Sequence, residues 1–161
     1  MDWLIDVLLV ATIVGTGVAA GVFTAFSAFV TQGLDRLPAA DAARAMREIN
    51  VTAVRPPFML VLFGTALLTV AVGALALTGT LGGAAWWAIG AAAVYLVGAI
   101  GVTGAANVPR NNHLAAPPAA DAPALAAAWQ EFRPGWQAWN HVRALTSAAA
   151  CVGFVLALVW R

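Results

Sequence analysis

Charged residues are scarce in this chain of 161 residues, and no lysine is present. Charged side chains make up 9% of the sequence, whereas hydrophobic residues make up 62% and the mean hydropathy is +0.86. The cationic and acidic side chains, eight and seven respectively, give a formal net charge of +1. This balance argues against a nucleic-acid partner, because nucleic-acid-binding proteins present a strongly basic face. The composition leaves little polar sequence for a soluble domain.

Cysteine and metal-binding motifs are also scarce. Cys151 is the single cysteine, so no disulfide can form within the chain. No His-x-His, His-x-x-x-His, Cys-x-x-Cys or Glu-x-x-His motif occurs, and these are the short spacings that place two metal ligands on one element. We therefore predict no metal site. Haem or copper held between His113 and His141 is kept as an alternative.

Four long apolar runs dominate the sequence. A helix needs about 20 residues to cross about 30 Å of hydrocarbon, and each run reaches or approaches that length without a charge at its centre. The runs predict transmembrane helices at about residues 4–30, 58–77, 84–106 and 140–160. Asp2 and Asp6 replace the basic residues that open a signal peptide, so we expect the first helix to be retained. The sequence predicts an all-α, polytopic membrane protein whose single domain is a four-transmembrane-helix bundle.

The connections between the runs differ in character. The connection at 78–83 is short and glycine-rich, which is typical of a turn. Between the first and second runs, apolar residues recur with helical spacing and predict an interfacial helix at about 39–54. Between the third and fourth runs, Asp121 can cap a second interfacial helix at about 122–132. Five tryptophans are expected to be anchors at the membrane surface: Trp3, Trp86, Trp87, Trp129 and Trp160.

Arginine is distributed unevenly between the two ends of the predicted bundle. Arg161 lies at one end, and the other seven lie in or beside the two long connections: Arg36, Arg44, Arg47, Arg55, Arg110, Arg133 and Arg143. By the positive-inside rule, this asymmetry places both long connections in the cytoplasm and both termini outside. We expect a location in a bacterial inner membrane.

Unusual polar residues gather at this same end of the bundle. Consecutive membrane helices alternate in direction, so the sequence around the second, third and fourth helices brings three groups together: Asn50 and Arg55; Asn107, Arg110, Asn111 and His113; Trp136, Trp139, Asn140, His141 and Arg143. At 100° per residue, Trp136, Asn140 and Arg143 share one helix face, whereas His141 points about 100° away from Asn140. An ionisable residue drawn into an apolar helix is a functional candidate. Indole, amide and guanidinium groups on one face suit a flat ligand with oxygen atoms.

Six segments spread over nearly the whole chain form a recognisable set of motifs: GVFTAFSAFV at 21–30, GLDRLP at 33–38, MREIN at 46–50, FMLVLFG at 58–64, NVPRNN at 107–112 and WQAWNHVR at 136–143. By these motifs the chain resembles the anthrone oxygenase-like family, also grouped under the domain of unknown function 1772, whose members are small four-helix membrane proteins. The last two motifs are the most specific. The resemblance implies a membrane enzyme that oxidises an anthrone or related phenolic aromatic with O₂ and without a resident cofactor.

This resemblance assigns roles to the polar group. We expect His141 to be the general base, with Arg143 and Asn140 stabilising negative charge on the substrate oxygen. The substrate-binding candidates are Trp136, Trp139, Asn107, Asn111, Arg110, Asn50, Arg55 and His113. The expected partners are the lipid bilayer, a hydrophobic aromatic substrate, and either a second copy or another membrane protein. Two alternatives stay open: a non-catalytic subunit that binds lipid or quinone and supports a larger assembly, and the haem or copper redox protein.

Overall fold

The structure, a computed structural model, describes residues 2–161. Within that range the chain forms five helices and no strand: α1 (Asp2–Leu34), α2 (Ala39–Ala53), α3 (Phe58–Leu77), α4 (Gly82–Ala115) and α5 (Ala122–Val159). Helices α1, α3, α4 and α5 are long and apolar enough to span a membrane. These helices confirm the predicted all-α architecture with four transmembrane helices.

Three of the four spanning helices are longer than a membrane requires. Helices α1, α4 and α5 contain 33, 34 and 38 residues, which correspond to about 50–57 Å at 1.5 Å per residue. Hydrocarbon accounts for about 30 Å of that length. The extra turns follow the apolar run in α1 and α4 and precede it in α5, so they extend from the same end of the bundle. The polar residues after the third apolar run, including Asn107 and His113, therefore lie on a helix rather than in a loop.

Helix α5 passes through Pro134 without ending. A proline inside a helix removes one backbone hydrogen bond and crowds the preceding turn. Here Trp129, Phe132 and Trp136, on both sides of the proline, are buried in one cluster and fix both halves of the helix against the same surface. The prediction of a separate helix at 122–132, with a fourth transmembrane helix starting near 140, is wrong for this reason. Asp121 does cap α5, because its carboxylate accepts from the Ala124 N–H at 3.0 Å.

Two hydrophobic clusters organise the interior. The larger cluster fills the spanning bundle and includes the fully buried side chains of Leu9, Tyr95 and Phe154. The smaller cluster lies where α2 covers the extra turns of α4 and α5, and Met46 of α2 is fully buried there. We call this second layer the roof: α2, the end of α4 and the start of α5. Helix α2 matches the segment predicted at 39–54, and its position at a membrane surface stays a prediction.

The roof also changes the interpretation of one tryptophan. Trp129 is buried in the second cluster and packs on Phe132, with ring centroids 5.7 Å apart. The prediction that Trp129 is a surface anchor is wrong, because α2 covers the face on which it lies. The other four predicted anchors, Trp3, Trp86, Trp87 and Trp160, are exposed.

Candidate functional site

A cavity of about 610 Å³ lies beneath the roof, where all five helices meet. Its walls are mostly apolar, with Phe23 and Phe26 from α1, Phe58 from α3, and Trp136 from α5. Its size falls within the range of 300–1,000 Å³ that is usual for small-molecule sites. Six of the predicted site residues line it: Asn50, Arg55, Asn111, Trp136, Asn140 and Arg143. The structure thus brings together residues from three distant parts of the sequence around one apolar space.

Arg143 is the buried charge in the cavity wall. It is 7% exposed, and its guanidinium carbon lies 4.3 Å from the centroid of the Phe23 ring and 5.3 Å from that of Trp136. Contacts of this kind place a cation against the electron-rich ring faces. Among residues 2–161 no carboxylate forms an ion pair with it, and its Nε has no hydrogen-bond partner. A buried guanidinium without a counter-ion is strongly suited to an anionic ligand.

Asn140 holds Arg143 in place and has no donor left over. Its Oδ1 accepts from Arg143 Nη2 at 2.8 Å, and its Nδ2 donates to the carbonyl of Phe23 and the hydroxyl of Ser27, both at 2.8 Å. Thr103 accepts a second bond from the guanidinium at 3.3 Å. Because both amide hydrogens are occupied within the protein, Asn140 has none to offer a ligand, and its contact with the cavity chemistry is the bond that positions the Arg143 guanidinium.

A stretch of π-helix in α1 makes these bonds available. Residues Phe26–Val30 adopt this wider turn, which shifts the regular backbone pairing and is frequent at functional sites. Nearby carbonyls also accept from side chains: Phe23 from Asn140, Ser27 from Gln137 at 3.1 Å, and Phe26, which keeps the Thr31 backbone N–H, from the Thr31 hydroxyl at 2.7 Å. The local irregularity of α1 thus ties it to the polar face of α5.

Trp136 forms a flat wall with a fixed orientation. It is 4% exposed, and its indole Nε1 donates to Asn111 Oδ1 at 2.9 Å. Its ring lies 5.6 Å from Phe26 and 5.7 Å from Phe132. The Nδ2 of Asn111 has no hydrogen-bond partner within residues 2–161, so it is a second free donor in the cavity wall.

The remaining predicted residues do not line the cavity. His141 is exposed and its Nε2 lies 3.2 Å from the Gln137 amide nitrogen, while His113 is exposed beside Glu131, also at 3.2 Å. Trp139 is exposed, Arg110 bonds the carbonyl of Ala106, and Asn107 is buried against the backbone of Trp136. These positions offer neither histidine a direct route to a ligand in the cavity.

Sequence reasoning overlooked Glu48, which does line the cavity. It belongs to the MREIN motif that contributed to the family resemblance, but an acidic residue on an amphipathic helix is usually a solvated one. Its location follows from the docking of α2 across the end of the bundle. Within residues 2–161, no three histidine, cysteine or acidic side chains are close enough together to hold a metal ion.

A comparison with protein-family models matches residues 58–153 to the anthrone oxygenase model. The match covers more than half of the chain. The chain belongs to the anthrone oxygenase family. No curated protein and no solved structure matches it.

The anthrone oxygenase match spans α3, α4 and most of α5. It therefore includes Asn111, Trp136, Asn140 and Arg143, the aromatic and polar wall of the cavity. Phe23 of α1 and Glu48 of α2 lie outside the matched residues. In this family member the part of the chain before the match thus supplies the α1 and α2 residues of the cavity wall.

Proposed function

We propose that this protein oxidises a flat aromatic carbon acid of the anthrone type with O₂ inside the cavity under the roof. The observation that carries the proposal is Arg143, a buried guanidinium that lines an apolar cavity and has no carboxylate partner among residues 2–161. Membership of the anthrone oxygenase family supports oxygenase chemistry. Substrate, catalysis and independence from a cofactor are parts of this proposal.

The proposed reaction begins with loss of a proton from the methylene carbon of the substrate. The electron pair left behind spreads through the ring system onto the carbonyl oxygen, which becomes anionic. The Arg143 guanidinium and the Asn111 amide line the cavity, and we assign these two groups as the donors to such an oxygen. Fixed donors in a water-poor site stabilise developing charge more strongly than water does, because they need no reorganisation and the local dielectric is low.

The carbanion form then gives its electrons to O₂. A new C–O bond forms at the former methylene carbon, and protonation yields a hydroperoxide. Loss of water from that hydroperoxide leaves a carbonyl group, so one O₂ converts the methylene to a ketone and releases one water. The protein's part is to hold the ring plane between aromatic walls and to stabilise the anion. The apolar walls formed by Phe23, Phe26 and Trp136 suit both the substrate and O₂.

The substrate and the membrane are linked in this proposal. An anthrone is apolar enough to partition into a bilayer, and the cavity lies at the end of the spanning segments, where the roof begins. We place the protein in a bacterial inner membrane with this end in the cytoplasm, as the arginine distribution predicts. A second copy or another membrane protein remains a proposed partner.

Oxygen uptake by the detergent-purified protein tests the function. We expect anthrone to increase uptake above the rate of a protein-free blank, with the corresponding anthraquinone as product and one O₂ consumed per anthrone. Mass spectrometry with ¹⁸O₂ should place one labelled oxygen in the quinone. Saturable anthrone binding without uptake above the blank would refute the oxygenase proposal and favour a ligand-binding subunit.

A further inference from the structure

We infer that Glu48 is the general base of the proposed reaction, an inference that rests on the proposed function. The first observation is its position. Within residues 2–161, Glu48 is the one carboxylate that lines the cavity, and neither His113 nor His141 does. A base must reach the proton that it removes, so location comes before acidity in choosing a candidate.

The second observation is that the Glu48 side chain has no partner among residues 2–161. Each of the other acidic side chains of residues 2–161 has a partner: Asp2 and Asp6 pair with Arg161, Asp35 with Arg133, Asp41 with Arg44, Glu131 with His113, and Asp121 caps α5. Glu48 has neither an ion pair nor a hydrogen bond in this range, although Arg55 lines the same cavity. Its side chain is exposed, so water is its remaining hydrogen-bond partner, and a ligand in the cavity competes with that water for its lone pairs.

The third observation is the division of charge between the walls. Glu48 stands on α2 and Arg143 on α5, so a ligand that fills the cavity contacts a carboxylate from one helix and a guanidinium from another. This pair of groups suits the deprotonation of an aromatic carbon acid. One accepts the proton from carbon, and the other binds the oxygen on which the charge accumulates.

Carboxylates are weak bases, but this weakness does not exclude the role. Ketosteroid isomerase removes a proton from carbon with an aspartate of nearly ordinary acidity, because donors on the opposite side stabilise the enolate oxygen. In the step inferred here, the substrate C–H bond breaks and the proton moves to a Glu48 carboxylate oxygen. The electron pair moves through the ring to the carbonyl oxygen, near Arg143. No oxidant enters this step.

Hydrogen exchange without O₂ isolates this step. The probe is anthrone with deuterium at its methylene carbon, and the measurement is loss of deuterium to water under anaerobic conditions with the detergent-purified full chain. General bases contribute about 10²–10⁴-fold to rates, so we expect Glu48→Gln to lower the protein-dependent exchange rate by roughly 100-fold or more. Glu48→Asp should keep part of the rate. Glu131→Gln, an exposed acid away from the cavity, is the matched control and should exchange like the wild type.

The outcomes separate the base from the oxygenase proposal. Loss of exchange in Glu48→Gln, with exchange retained in Glu131→Gln, would support the assignment of Glu48 as the base. This holds even if the wild type consumes no O₂, because absence of oxygen uptake would refute only the oxygenase proposal. Exchange by Glu48→Gln at the wild-type rate would overturn the assignment. So would a wild-type protein that does not accelerate exchange, whatever its oxygen uptake. If Glu48→Gln melts at a lower temperature than the wild type, the exchange rates of Glu48→Asp and Glu131→Gln are compared instead. A lower rate in Glu48→Asp supports the assignment, and equal rates overturn it.

Discussion

Replacing Arg143 with methionine should separate the stability of this protein from its activity. Methionine has a similar length and fills an apolar site without a charge. The change removes the hydrogen bonds to Asn140 and Thr103 and the contacts with the Phe23 and Trp136 rings. It also removes a buried charge that has no counter-ion among residues 2–161. The losses and the gain therefore oppose each other.

The magnitudes set the expected result. An unpaired Asn140 carbonyl oxygen costs about 1–3 kcal/mol, and removing a poorly compensated buried ion returns an amount of similar order. We expect the free energy of unfolding to change by less than about 2 kcal/mol, or roughly 8 °C in melting temperature for a chain of this size. By contrast, loss of one donor to an oxyanion lowers kcat by about 10²–10³-fold.

The assay is anthrone-dependent oxygen uptake beside thermal unfolding of the same preparation in detergent. Arg133→Met is the matched control, because Arg133 pairs with Asp35 at the surface, outside the cavity. It should keep wild-type turnover. Turnover of Arg143→Met within about threefold of the wild type would refute the role of the guanidinium in the transition state. A large fall in melting temperature that accompanies the loss of turnover would show that Arg143 is needed for the fold.

Two further predictions concern the packing of the helices. A methyl group at Gly98 would overlap the side chain of Thr146 where α4 meets α5, so Gly98→Ala should destabilise the protein by about 1–3 kcal/mol. Gly90→Ala, on the open side of α4, is the control and should leave stability unchanged. Equal melting temperatures for the two variants would contradict the close approach of α4 to α5. Pro134→Ala should raise stability by about 1–3 kcal/mol, because the restored N–H can bond the Gln130 carbonyl. A fall in melting temperature would show instead that the proline is required by the packing of the roof.

The four-helix bundle could be predicted from the sequence because long apolar runs are a strong and local signal. A run of about 20 apolar residues is rarely compatible with any structure other than a transmembrane helix. Helical periodicity also correctly placed Trp136, Asn140 and Arg143 on one buried face of α5. The same periodicity directed His141 away from that face, and the structure finds it exposed. These results depend on residues within one helix.

The parts that the sequence could not supply depend on contacts between helices. Continuation of α5 through Pro134 opposes local propensity and follows from burial of the residues on either side. The sequence predicts that Glu48 is solvated, and the side chain is exposed; that it also lines the cavity follows only once α2 has docked over the bundle. The π-helical stretch at Phe26–Val30 has no sequence signature, and the Ser27 carbonyl within it and the nearby Phe23 carbonyl accept from side chains of α5.

The arginine asymmetry, read from the sequence as a sign of membrane orientation, has a second cause in the structure. Five of the seven arginines at the cavity end donate hydrogen bonds to other residues of the cavity wall or the roof region: Arg44, Arg47, Arg110, Arg133 and Arg143. Arg47, for example, donates to the carbonyls of Leu114 and Pro117 at 2.8 and 2.6 Å and so ties α2 to the end of α4. By the same criterion Arg161 is set aside at the other end, because it pairs with Asp2 and Asp6, so Arg36 and Arg55 remain at the cavity end against none. The asymmetry therefore persists when the arginines with structural partners are left out, and it still supports the proposed orientation, with the cavity end in the cytoplasm.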